Sequence, residues 1–215
     1  MTMHIYAFGS LCRGEIDLNS DVDLLAIVDA RNDALDTGTF SVYSYNRIKE
    51  LWNEGNPFAW HLYLEAKLIF TNDGRNFLSD IGAPKEYVNT LTDCIKFYQV
   101  FNSARNSLMD SSDSAAFDLS SIFLSIRNFA SCYSLGHLKR PIFSRSAALM
   151  LEAESIDIEK DVYEMLECNR ILCTRGKGRT PSSVDIENAL NTAIKIEQWM
   201  TTLLLKIKGN DNGRI

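Results

Sequence analysis

The sequence predicts an α+β protein, a small α/β domain followed by an all-α helical bundle. Three observations carry this. Short β-branched and aromatic runs recur through the first 83 residues. Longer segments with helical spacing of apolar residues fill the rest. The break between the two patterns falls at Gly82-Ala83-Pro84. The boundaries read as 1–83 for the α/β domain, 84–208 for the bundle and 209–215 for a flexible tail.

In the first part, "MHIYAF" (3–8), "DLLAIV" (23–28) and "TFSVYSY" (39–45) read as strands, and "KLIF" (67–70) as a fourth. Two helices fit between the last two, 46–52 and 57–65, with Pro57 suited to a first helical turn. The second part opens with a helix over 84–109, whose apolar residues Tyr87, Val88, Leu91, Ile95, Tyr98 and Phe101 recur near the helical period. A second long helix covers 113–135, capped by Asp113 or Ser114 and stopped by Gly136. Further helices are expected over 144–152, 159–172 and 183–207. The last follows Thr180-Pro181-Ser182, and Asp185 lies three residues after Ser182 as in a capping box.

The composition is that of an ordinary globular protein, with 46% hydrophobic and 23% charged residues. Five scattered cysteines without a C-x-x-C pair point to free thiols in a reducing compartment. No secretory signal or membrane-length apolar run is visible, so a cytoplasmic protein without a membrane partner is expected. The net charge of −6 is unevenly placed. Residues 1–83 hold 6 Lys and Arg against 12 Asp and Glu, and residues 84–215 hold 16 of each. That acidity argues against broad nonspecific nucleic-acid binding but not against a metal-bridged phosphate ligand.

The acidic part contains "FGSLCRGEIDLNSDVDLLAIV" (8–28). Alternate strand residues share a face, so Asp21 and Asp23 point the same way, and two adjacent carboxylates are well suited to share a divalent cation. Gly9-Ser10 forms a turn of little bulk where backbone N–H groups and the Ser10 hydroxyl can approach a phosphate. A helix starting at Ser10 would add its N-terminal partial charge. Together these parts fit a nucleotide site, with a phosphate cradle at Gly9-Ser10 and a metal pair at Asp21 and Asp23.

Gly-Ser, ten residues and Asp-x-Asp on a strand resemble the signature of minimal nucleotidyltransferases of the polymerase-β superfamily. "FGSLCRG" is similar to that family's Phe-Gly-Ser-x-x-Arg-Gly, and "NSDVDLLAIV" to its Ser-Asp-x-Asp-Leu with an apolar strand. The likeness covers 3–29 directly and 39–73 more weakly. The helical half is similar to kanamycin-type and related enzymes in layout, with 125–151 the most similar stretch. The resemblance implies a small mixed-sheet domain with Mg2+ (or Mn2+) on Asp21 and Asp23, and ATP or another nucleoside triphosphate at Gly9, Ser10, Arg13 and Ser20. It implies transfer of AMP or another nucleoside monophosphate to a hydroxyl of a protein, as in antitoxin-type members, or of a small molecule. A homo-oligomer or a toxin-like partner would be in keeping.

The family usually has a third carboxylate on the next strand, and here that position reads as Ser41. Glu65 could move in, or substrate or a partner could supply the base. Alternatively the protein is a catalytically impaired nucleotide-binding regulator or antitoxin-like interaction protein. In the helical half, Arg170, Arg175, Lys177 and Arg179 lie in a loop without an acid, a candidate contact for phosphate, RNA or an acidic partner as well as an ordinary solvated loop. Arg127 and His137 are nine residues apart with Gly136 between them. That departs from the Arg, four to six residues, His pattern of ribonuclease partners of such enzymes. His4 and His61 sit in apolar runs and read as structural, and Trp52, Trp60 and Trp199 as packing residues.

Overall fold

A computed structural model describes residues 2–15, 22–29, 35–111 and 113–211. The chain divides into two compact units, 1–88 and 89–215.

The first unit is built on four strands, β1 (Met3–Phe8), β2 (Asp23–Val28), β3 (Phe40–Ser44) and β4 (Lys67–Thr71), in the order β3-β2-β1-β4. β1 runs antiparallel to β2 and β4, whereas β2 and β3 are parallel, so the sheet is mixed. Alternation sets its core face. Tyr6, Phe8, Leu25 and Ile27 meet Ile48, Leu51 and Trp52 of α2 (Tyr45–Glu54), Ala59 and Leu62 of α3 (Pro57–Glu65), and Leu78. Each fully buried Leu or Ile in this layer contributes about 1.5–3 kcal/mol.

Local chemistry fixes the ends of these helices. The Ser44 hydroxyl accepts from Arg47 N at 3.1 Å at the start of α2. Asn56 Oδ1 accepts from Phe58 N at 2.9 Å where Pro57 opens α3. Between the helices Gly55 has φ +63°, and a Cβ there would lie 2.4 Å from Glu86 O, so glycine is needed for both conformation and space. The described residues of the unit also include two one-turn helices, α1 (Ser10–Arg13) and α4 (Phe77–Asp80).

The helix expected from Pro84 begins only at Thr90. Lys85 N donates to Trp52 O at 2.9 Å, and Lys85 O accepts from Trp60 Nε1 at 3.0 Å. Trp52 Nε1 likewise donates to Gly82 O at 2.8 Å. These bonds tie Gly82 and Lys85 to the first unit and take the Lys85 backbone out of any helical ladder.

The second unit comprises α5 (Thr90–Asp110), α6 (Ala115–Gly136), α7 (Lys160–Arg175) and α8 (Ser183–Asp211). α6 packs against the other three helices. It is buried on nearly all sides, through Leu119, Ile122, Phe123, Ile126, Phe129, Ala130 and Tyr133. Two of its buried serines satisfy themselves locally: Ser125 donates to Ile122 O at 2.7 Å and Ser134 to Ser131 O at 3.0 Å. α6 ends at Gly136 as expected, and a Cβ there would fall 1.7 Å from Thr90 Oγ1, so glycine also lets α5 and α6 meet.

The helix expected over 144–152 is instead two 3-10 turns, at Ala147–Leu149 and Glu152–Glu154. Glu152 has φ +57°, which breaks any α-helical run there. α8 continues to Asp211, four residues past its expected end at 207 and into the segment read as a flexible tail. No helix among the described residues is long and apolar enough to cross a membrane.

Candidate functional site

β1 delivers the chain to Gly9, which has φ 75° and ψ −148°, a region open to glycine alone. Phe8 pairs with Asp23 in the β1–β2 ladder, and this register lays the Asp23 carboxylate against the Gly9 backbone. A Cβ on Gly9 would sit 2.3 Å from Asp23 Oδ2. Gly9 and Asp23, fourteen positions apart in sequence, are therefore brought together at one end of the sheet.

Ser10, 6% exposed, starts α1 directly after Gly9. Gly9 O accepts from Cys12 N at 3.1 Å and from Arg13 N at 3.3 Å. The N–H groups of Ser10 and Leu11, at the first turn, have no intrahelical acceptor. Gly14 closes the turn in the left-handed conformation. Ser20 and Asp21 lie outside the described residues.

Arg13 ends α1 between two acids. Its Nε donates to Glu15 Oε2 at 2.9 Å and its Nη1 to Glu65 Oε2 at 2.5 Å. His61 Nε2 lies 2.9 Å from the same Glu65 oxygen. Burial alone would raise the Glu65 pKa. The hydrogen bond and charge of His61, joined by Arg13, outweigh it and hold the carboxyl below its ordinary range. Glu65, an acid that could have served as a third carboxylate, is thus engaged by Arg13 and His61. The link to His61 is written in sequence as an i,i+4 pair on α3. The link to Arg13 has no local signal.

Ser41 pairs with Leu25 in the parallel β2–β3 ladder and is exposed. Leu25 lies two residues from Asp23 on the same strand, so Ser41 belongs to the sheet face that carries Asp23.

A metal such as Mg2+ requires hard oxygen donors and room for phosphate and water. The Asp23 carboxylate, laid against the Gly9 turn, supplies such a hard oxygen donor. Among the described residues no group of three or more His, Cys, Asp or Glu is placed to hold a metal ion, and Asp21 is not among them.

The opposite end of the sheet is organised differently. His4, 2% exposed, places Nδ1 2.6 Å from Tyr45 OH and Nε2 3.3 Å from Asp73 Oδ1. His4 lines an open cleft of roughly 360 Å³ together with Tyr45, Lys49, Asp73, Arg75 and Phe77 among others. Burial, with Asp29 and Asp73 adding to it, pushes the Tyr45 hydroxyl up to about 12.

In the second unit Arg175 closes α7, Lys177 is exposed in the following loop, and Arg179 is no longer a bare cation. Its guanidinium grips both oxygens of Asp185, at 2.6 and 3.0 Å. Asp185 also accepts from Ser182 N at 2.7 Å and donates its own N–H to Ser182 Oγ at 3.3 Å, completing the capping box. The Arg179 and Ser182 bonds hold its carboxyl well below the usual carboxylate range. Arg127 donates to Phe143 O at 3.0 Å and so fastens the chain after α6.

Comparison with curated proteins gives no match. Residues 3–89 match the family model described as nucleotidyltransferase domain, a span that ends one residue before α5 and includes the Gly9–Asp23 geometry.

Proposed function

We propose that the first unit is a magnesium-dependent nucleotidyltransferase that moves AMP, or another nucleoside monophosphate, from the triphosphate to a hydroxyl. The observation that carries this is the Asp23 carboxylate against the Gly9 backbone, inside the matched span. Gly9 lets the Asp23 carboxylate approach the backbone, and the first N–H groups of α1 with the Ser10 hydroxyl offer donors to the β- and γ-phosphates. Asp23, with Asp21, would hold Mg2+ or Mn2+. When bound, the cation supplies charge neutralisation at the phosphates.

The reaction forms an O–P bond between the acceptor oxygen and the α-phosphorus, breaks the α–β bridge and releases pyrophosphate. Positioning and neutralisation dominate such transfers. Ser41 is a weak base, so the acceptor proton leaves to solvent or to a group that the acceptor brings. The acceptor is a protein or small-molecule hydroxyl in a cytoplasmic setting. The helical unit is the natural place for an acceptor, a toxin-like partner or a second copy to bind. Arg175 and Lys177, with Arg179 partly neutralised, are its candidate phosphate or partner contacts.

A second reading is a nucleotide-binding regulator or antitoxin-like protein without turnover. It is favoured by Ser41 in the third position and by the engagement of Glu65. Incubation with α-labelled ATP, Mg2+ and candidate acceptors separates the two. Wild type should label an acceptor, and Asp21→Asn with Asp23→Asn should reduce labelling about a hundredfold or more at a stability change within about 1 kcal/mol. Equal labelling by the double variant would sink the site assignment. Binding without labelling of any acceptor would favour the regulator.

A further inference from the structure

We propose that Glu65 is a positioning residue for the Gly9-Ser10 turn, acting through Arg13 on one side and His61 on the other. Its ligand half rests on the nucleotide-binding reading, whereas the clamp itself rests on geometry.

α1 is a single turn of four residues. A helical turn that short does not hold its own conformation, because the dihedrals it fixes outweigh its one or two hydrogen bonds. An external tie is needed, and Arg13 provides it. The side chains of Arg13 and Glu65 are 17% and 14% exposed, so their ion pair is shielded from solvent and joins the end of α1 to the end of α3. The same Glu65 oxygen meets His61, itself 12% exposed. The His61 ring packs edge-on against Phe8 at 5.6 Å. Phe8 is the residue before Gly9 and the ladder partner of Asp23. One carboxylate is thus linked to the residue before Gly9, through His61 and Phe8, and to the end of α1, through Arg13.

Two guanidinium nitrogens of Arg13 are committed to Glu65 and Glu15. Its task is therefore to set the direction of the first α1 N–H groups rather than to meet phosphate directly. Lysine could not span both acids with a planar fork.

The test compares wild type, Glu65→Gln, Arg13→Met, the double variant and Arg13→Lys. The readouts are amide hydrogen exchange of residues 9–15 and calorimetric titration with Mg2+ and a non-hydrolysable ATP analogue. Glu65→Gln and Arg13→Met should each speed exchange of these amides and raise the analogue's Kd about tenfold. The double variant should be no worse than the more damaging single one, and Arg13→Lys should fall between it and wild type. Arg13→Lys also decides the matter if Glu65→Gln fails to fold.

Exchange and Kd both within about twofold of wild type in a folded Glu65→Gln would overturn the proposal. Faster exchange with unchanged Kd would overturn its ligand half. Failure of wild type itself to bind the analogue would overturn the nucleotide reading, and exchange would then decide the clamp alone.

Discussion

The two ends of the first unit's sheet handle polar groups in opposite ways. At one end, buried His4 sets Nδ1 on Tyr45 OH and packs among aromatic rings, while its Nε2 lies 3.3 Å from Asp73 Oδ1 without a hydrogen-bond partner. At the other end, the Asp23 carboxylate takes the place a Gly9 side chain would occupy, beside a helix start with N–H groups that the helix does not use. The difference teaches how to weigh polar residues on one scaffold. An imidazole packed among aromatic rings stabilises the fold, whereas a carboxylate laid against the backbone at a helix start stands where a cation and a phosphate could meet it.

Gly9→Ala should break the contrast most severely. Alanine is strained at φ +75°, and its Cβ would meet Asp23 Oδ2 at 2.3 Å. We expect at least about a hundredfold loss of Mg2+-dependent nucleotide binding, with a stability loss of about 1–3 kcal/mol. Calorimetric titration alongside thermal melting checks both, and near-normal binding would show that the close approach of Asp23 to Gly9 is not needed.

Tyr45→Phe is the counterpart at the far end. It leaves His4 Nδ1 without its 2.6 Å partner, so the variant should lose about 1–2 kcal/mol in denaturant unfolding while nucleotide binding stays near wild type. A large drop in nucleotide affinity with little loss of stability would erase the distinction between the ends.

The smallest expected effect concerns acid. Glu65 is held below its ordinary value of 4.5 in the folded protein. A depressed folded pKa adds stability that is fully present above the unfolded value and is lost as pH falls through the folded one. Glu65→Gln should therefore flatten the acid limb of the stability curve below about pH 4.5 and leave the shape above pH 6 unchanged. An unaltered acid limb would mean that His61 and Arg13 do not stabilise the charged carboxylate.

Much of the Gly9–Asp23 end was legible in the sequence because its determinants are local. Strand alternation marked β1 and β2 at their observed bounds, and the Gly-Ser turn needs no distant partner to be recognised. Segments ruled by distant partners were not legible. Residues 84–89 carry helical spacing, yet Trp52 and Trp60 claim the backbone of Lys85 and take it out of any helical ladder. The stretch 144–152 looks helical until Glu152 turns to positive φ. Glu65 was visible as a spare acid but not as the partner of Arg13, 52 residues earlier. Arg179 read as part of a loop without an acid, although Asp185 in the next helix neutralises it.

A structure of the full chain with Mg2+ and a non-hydrolysable ATP analogue tests the central claim most directly. The triphosphate should lie on the Gly9-Ser10 turn and the cation on Asp23 and Asp21, with Arg13 still joined to Glu65. A triphosphate seated instead in the cleft beside His4 and Tyr45, with no cation on Asp23, would contradict it.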